Sequence, residues 1–230
     1  MHNIKAIIFD LDDTLYQEED YVKSGFKYVS NLIELKTALG ADYVYDQLLL
    51  LFENDKSRVF NRFLELQEIT DAELESLIIQ EYRHHKPSIS LLPENIEILQ
   101  WLKNQGFMIG IITDGRPEGQ KNKIEALGLY DYCNHVIVTD ELGGIEFRKP
   151  NKIGFINMLT HFKIKPDEAI YLGDNPTKDF VACNNLGMKT IMLVNGKGLY
   201  SQEVEDPDYF ANISIQSLEE LKTILESWES

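Results

Sequence analysis

Ile4-Lys5-Ala6-Ile7-Ile8-Phe9 runs straight into Asp10-Leu11-Asp12-Asp13-Thr14-Leu15-Tyr16. The first six residues are short, apolar and β-branched, the composition of a buried strand. Two carboxylates two residues apart follow where that strand ends. In an open α/β sheet, ligands sit outside the carboxyl ends of the strands. Neighbouring carboxylates repel, so either one holds a proton or a cation lies between them. Oxygen-only ligation suits a hard cation such as Mg²⁺.

Working outward, the chain alternates between two regimes. From Gln17 to Lys86 the strand signal vanishes. Val22, Phe26, Val29 and Ile33 recur at helical spacing, as do Val44, Leu48, Leu51 and Phe52, then Phe60, Phe63 and Leu64. Thr70-Asp71-Ala72-Glu73 has the form of a capping box ahead of Leu74, Ile78 and Tyr82. This predicts four packed helices. After Pro87 the pattern changes to short apolar strands alternating with helices. Helices are predicted from Pro93 to Gly106, Pro117 to Leu127, Pro150 to Phe162 and Pro176 to Leu186. Strands are predicted over Phe107 to Ile112, His135 to Val138, Ala169 to Leu172, Thr190 to Val194 and, weakly, Phe210 to Ile213. Ser217-Leu218-Glu219-Glu220 opens a last helix. The segment Asn195 to Asp208 reads as a polar surface loop. Such alternation implies an α/β fold with a Rossmann-like parallel sheet and helices on both faces. Residues 1–16 and 88–230 are expected to form this core, and residues 17–87 an inserted helical domain.

Composition narrows the partners. Among 230 residues, 22 Lys and Arg face 38 Asp and Glu, for a formal charge of -16. So acidic a surface repels nucleic acid and anionic membranes, and neither is expected as a partner. Cys133 and Cys183 are the two cysteines; they form neither a metal spacing nor a disulfide framework, which fits a cytoplasmic protein. No signal peptide or membrane-spanning run is visible. Oligomeric state is not readable.

Three more strand ends carry polar groups. Phe107 to Ile112 leads into Thr113-Asp114-Gly115, where a hydroxyl and backbone N–H groups face one another across a tight turn. Arg148-Lys149-Pro150 puts an ammonium at a predicted helix entrance, since Pro suits the first helical turn. Ala169 to Leu172 leads into Gly173-Asp174-Asn175-Pro176-Thr177-Lys178-Asp179, a second carboxylate at a buried strand end.

In this order, the four stretches resemble the four motifs of the haloacid dehalogenase-like superfamily: Asp-x-Asp-x-Thr, a Thr or Ser after the second strand, a Lys-Pro, and Gly-Asp followed by another acid. The resemblance covers residues 4 to 187, and the helical insertion after the first motif looks like that superfamily's cap. Asn175 stands where some members have Asp. The resemblance implies a Mg²⁺-dependent phosphatase acting on the phosphate monoester of a small metabolite, a sugar phosphate or a nucleotide. Asp10 would be the nucleophile, forming an aspartyl phosphate, and Asp12 the acid–base. Leu11, Thr113, Asp114 and Lys149 would hold the phosphoryl group. Asp10, Asp12 (through its carbonyl) and Asp174 would hold Mg²⁺. Asp179 would orient Lys149 or ligate through water. Arg116, just past the second motif, is a candidate for substrate selection, as are Arg58 and Arg62, although a solvated helix face explains that pair more simply. His84 and His85 read as a solvated linker. A phosphomutase would use the same two aspartates, and a non-catalytic binding module is the alternative of a different class.

Overall fold

The computed structural model describes residues 4–194 and 204–229. The chain divides into two compact units, one comprising residues 1–18 and 90–230 and the other residues 19–89. No helix among the described residues is long and apolar enough to cross a membrane.

The larger unit is built on six strands: β1 (Ala6–Phe9), β2 (Met108–Thr113), β3 (His135–Val138), β4 (Ala169–Gly173), β5 (Lys189–Leu193) and β6 (Ile213–Ile215). All pair in parallel, in the order β3-β2-β1-β4-β5-β6. β1 is therefore central, with Phe9 level with Ile111 on one side and Leu172 on the other. Successive side chains alternate between faces, and both faces are filled. Ile8, Ile112, Phe155, Met158 and Tyr171 share one buried cluster; Ile7, Phe9, Ile109, Ile170 and Leu172 are buried as well. That is the pattern of a parallel sheet covered on both sides by helices.

Those helices are α5 (Pro93–Asn104), α6 (Pro117–Ala126), α7 (Ile153–Phe162), α8 (Val181–Leu186) and α9 (Glu220–Glu229). Two start later than the sequence suggests. The Pro150 helix begins only at Ile153, because Asn151 turns the chain first: its N–H donates to the Arg148 carbonyl and its side chain accepts from Ile153 N–H. The Pro176 helix begins only at Val181. Here Asn175 accepts from Thr177 N–H and hydroxyl while Asp179 accepts from Asn175 N–H, so local side-chain bonds replace a helical turn. The last strand also lies later than expected. Asn212, at its start, exchanges hydrogen bonds with Thr190. In the predicted loop, residues 195–203 lie outside the described residues; Pro207–Tyr209 form a short 3-10 turn.

The smaller unit consists of α1 (Glu18–Lys36), α2 (Ala41–Asn54), α3 (Val59–Leu66) and α4 (Ala72–His84). Val22, Phe26, Val29, Ile33, Val44, Leu48, Phe60, Phe63, Leu64, Leu74 and Ile78 are buried. Phe26 meets Phe52 and Phe60 edge-on, each at 5.7 Å between ring centres. The cap of α4 is Asp71, whose carboxylate accepts from Glu73 and Leu74 N–H, and not Thr70. His85 is likewise no solvated linker: it is buried, 4.8 Å from the Tyr21 ring, with Nδ1 2.7 Å from the Tyr82 carbonyl.

Phe155 anchors one face of the sheet, fully buried and edge-on to Tyr171 at 5.0 Å. Phe155→Ala should cost about 3–5 kcal/mol, the usual penalty for emptying such a site. Urea unfolding followed by circular dichroism measures it, and a loss below about 1 kcal/mol would place the core elsewhere.

Candidate active site

Parallel strands deliver their carboxyl ends to one edge, and the polar groups collect there. Asp10 follows β1 directly and its N–H donates to Leu172 O of β4 at 2.8 Å. Its side chain is buried. Oδ1 accepts from Leu11 N–H at 2.8 Å and lies 2.8 Å from Lys149 Nζ. Oδ2 has no hydrogen-bond partner, and Lys178 Nζ stands 3.5 Å away. Burial alone would raise the Asp10 pKa, but Lys149 and Lys178 outweigh it and hold the carboxyl below its usual range.

Lys149 is enclosed completely. Besides Asp10 it donates to Asp179 at 2.8 Å and to Tyr171 Oη at 2.9 Å. Burial works against its charge; Asp10, Asp179 and Asp114 overcome that and raise its pKa above the ordinary lysine value. Its position does not come from a helix entrance, as the sequence suggests. It comes from the turn before Ile153, where Lys149 N–H donates to Asp114 at 3.0 Å. Asp114 also accepts from the Thr139 hydroxyl at 2.8 Å. Gly173 permits the close approach of Asp179: a Cβ there would fall 2.5 Å from Asp179 Oδ2.

One carboxylate oxygen from each of Asp10, Asp174 and Asp179 lies within 4.8 Å of the others. Burial, with the charges of Asp10 and Asp179, pushes Asp174 up to about 8. Crowded carboxylates, one with an orphaned buried oxygen, fit a hard cation that takes oxygen ligands. The Asp12 carboxylate is not in this cluster. It accepts from Tyr16 Oη at 2.5 Å and Lys123 Nζ at 2.7 Å on Oδ1, and from Gln120 Nε2 at 2.8 Å on Oδ2. Gln120 also donates to the Thr113 hydroxyl, which is fully buried.

The structure thus brings together Asp10, Leu11, Asp114, Lys149, Asp174 and Asp179, with Gln120 joining Asp12 to Thr113. The other candidate cations named from the sequence are exposed or have partners of their own. Arg116 is exposed at the residue before α6. Arg148, next to Lys149 in the chain, forks Asp140 through two bonds of 2.7 Å. Arg58 pairs with Glu65, and Arg62 donates to the carbonyls of Leu51, Asp55 and Ser57, tying α2 to α3. Sequence reading misses Lys178, Gln120 and Lys123. Lys178 lies within the quoted fourth stretch. Gln120 and Lys123 carry a weaker signal, three residues apart on one face of a helix.

The chain is similar to known proteins in sequence and in fold. The sequence model of the haloacid dehalogenase-like hydrolase family matches residues 7–193. A glyceraldehyde 3-phosphate phosphatase of Pyrococcus furiosus is 33% identical, over 98% of this chain and 95% of its own. A glyceraldehyde 3-phosphate phosphatase of Methanocaldococcus jannaschii is 30% identical, over 97% and 98%. The magnesium-bound putative hydrolase YfnB of Bacillus subtilis superposes with a TM-score of 0.68 over 97% of this chain and 99% of that one, at 20% identity. The order of strand-end motifs, the parallel sheet and these likenesses lead to one conclusion: the chain belongs to the haloacid dehalogenase-like hydrolase family.

Proposed function

We propose that the protein is a Mg²⁺-dependent phosphatase that hydrolyses the phosphate monoester of a small metabolite, of the triose or sugar phosphate class. The observation that carries this is the Asp10 carboxylate. One oxygen is pinned by Lys149 and the Leu11 N–H, while the other is buried without a hydrogen bond. A carboxylate kept ionised and fixed in direction is a competent nucleophile. The relatives named for glyceraldehyde 3-phosphate support the substrate class.

In this reading an Asp10 oxygen attacks phosphorus and the ester P–O bond breaks. Asp12, in its protonated form, gives its proton to the departing oxygen. The resulting carboxylate then takes a proton from the water that attacks the aspartyl phosphate, and inorganic phosphate leaves. Lys149 and Lys178 stabilise phosphoryl oxygens, together with the Thr113 hydroxyl and the N–H groups of the strand-end turns. Asp10 and Asp174 would hold the cation, with Asp179 beside them. When bound, Mg²⁺ offsets negative charge on the transferred group. Asp179 fixes Lys149 through its Oδ1.

Two measurements test this. Chelation should abolish release of inorganic phosphate from glyceraldehyde 3-phosphate and from 4-nitrophenyl phosphate, and Mg²⁺ should restore it. Mg²⁺ should also raise the melting temperature of the wild type and not that of Asp174→Asn. Full turnover in excess chelator would sink the metal assignment.

The second measurement separates the two aspartates. Asp10→Asn should form no covalent phosphoenzyme. Asp12→Asn keeps the nucleophile and loses an acid–base term worth about 10²–10⁴-fold. Normal turnover in Asp10→Asn would refute the assignment of roles.

A further inference from the structure

The face that α6 turns toward the sheet is physically odd. A helix packed on a core normally buries an apolar stripe. Here Gly119, Gln120, Lys123 and Ile124 are the buried residues of α6, so half of the stripe is polar. Lys123 is only 4% exposed. Lysines are almost never buried so far unless paired. Its pair is Asp12: Nζ lies 2.7 Å from Oδ1, and the next carboxylate, Glu18, is 4.0 Å away.

Asp12 itself follows Asp10 by two residues in a loop that closes on itself. Asp12 and Tyr16 form a backbone bridge, and the Tyr16 hydroxyl returns to the Asp12 carboxylate. The loop fixes where Asp12 begins. It leaves the second oxygen and the charge to be held from outside. Gln120 takes Oδ2 and Lys123 takes Oδ1, both from one helix and separated by one turn. Gln120 spends its other contact on the Thr113 hydroxyl. Lys123 supplies an ammonium in contact with the Asp12 carboxylate.

Resting on the acid–base role proposed above for Asp12, we propose that Lys123 is a positioning residue for that group. It holds the carboxyl in the orientation from which it reaches the departing oxygen. Asp10 is held by Lys149 and the Leu11 N–H, so loss of Lys123 leaves attack by Asp10 intact. What fails is delivery of the proton along a fixed line. A displacement of about 1 Å in such a group costs on the order of 10²-fold. The deficit must therefore grow with the basicity of the leaving group. An alkoxide needs the proton as the P–O bond breaks, and a nitrophenolate hardly does.

The test is kcat/KM for glycerol 2-phosphate and for 4-nitrophenyl phosphate, which reports steps up to departure of the leaving group. Lys123→Met should lower the value for glycerol 2-phosphate on the order of 10²-fold. The value for 4-nitrophenyl phosphate should fall several-fold at most. Lys123→Arg, which restores a cation, should recover most of the loss. A purely structural lysine would depress both substrates alike, and equal losses, or none, overturn the proposal. If Lys123→Met does not fold, Lys123→Gln is read by the same ratio. Asp12→Asn is the control. If it shows no difference between the substrates, the acid–base reading of Asp12 is what has failed. If it shows the difference and the Lys123 variants do not, only this inference has failed.

Discussion

Everything at the strand ends depends on one buried ion pair, Lys149 with Asp10. A lysine without exposed surface is tolerable only if its charge is met on several sides. Asp10, Asp179 and the Tyr171 hydroxyl do this, all within 2.9 Å of Nζ. Each partner comes from a different stretch: β1, the loop after β4, and β4 itself. The pair therefore needs the sheet order as much as the sheet needs its apolar faces. β1 must lie beside β4, or Asp10 and Asp179 do not share an ammonium. Breaking such a pair by deleting one member is costly because the remaining charge stays buried.

The same economy explains the excess of carboxylates. Asp10, Asp174 and Asp179 crowd one another, and Lys149 and Lys178 do not relieve all three. Burial leaves Asp174 raised, to about 8, and Asp179 raised as well. A protein gains nothing in stability from that crowding, and three carboxylates so close together fit a hard cation. Gly173 fits the same logic. It is placed in the last residue of β4 so that Asp179 can lie against the backbone.

Much of this was legible in the chain, and the exceptions have physical causes. The strands β1, β2 and β4 were readable because buried parallel strands are continuous apolar runs. Asp10 and Asp174 were readable because each directly follows one, and Thr113 because it ends another. Lys149 is placed by a different cause from the one its sequence suggests. Pro150 looked like a first helical turn, whereas Asn151 diverts the chain and α7 starts at Ile153. α8 was overextended for a related reason, because the side chains of Asn175 and Asp179 hold residues 175–180 in turns. His85 was misjudged because burial by Tyr21 and Tyr82 depends on helices far apart in sequence. Gln120 and Lys123 were invisible as site residues because a polar helix face reads as solvent-exposed. The carboxylate of Asp12, 108 and 111 residues earlier, is what meets that face, together with the Thr113 hydroxyl.

That last point bears on how an insertion is tolerated between Asp12 and its partners. The loop after β1 closes on itself within seven residues, through the Asp12–Tyr16 bridge and the Asn95 side chain, which donates to Leu15 O at 2.9 Å. Asn95 belongs to α5, the first helix after the chain returns from the smaller unit. The loop is thus clamped by residues on both sides of the insertion. Loop-closure entropy grows only slowly with length, so some seventy intervening residues add little to the cost of bringing the two sides together. The conformation of Asp12 is set by Tyr16, Gln120 and Lys123, all within the larger unit. The contacts that hold the Asp12 carboxylate are thus drawn from the unit that carries the sheet, from stretches on both sides of the inserted helices.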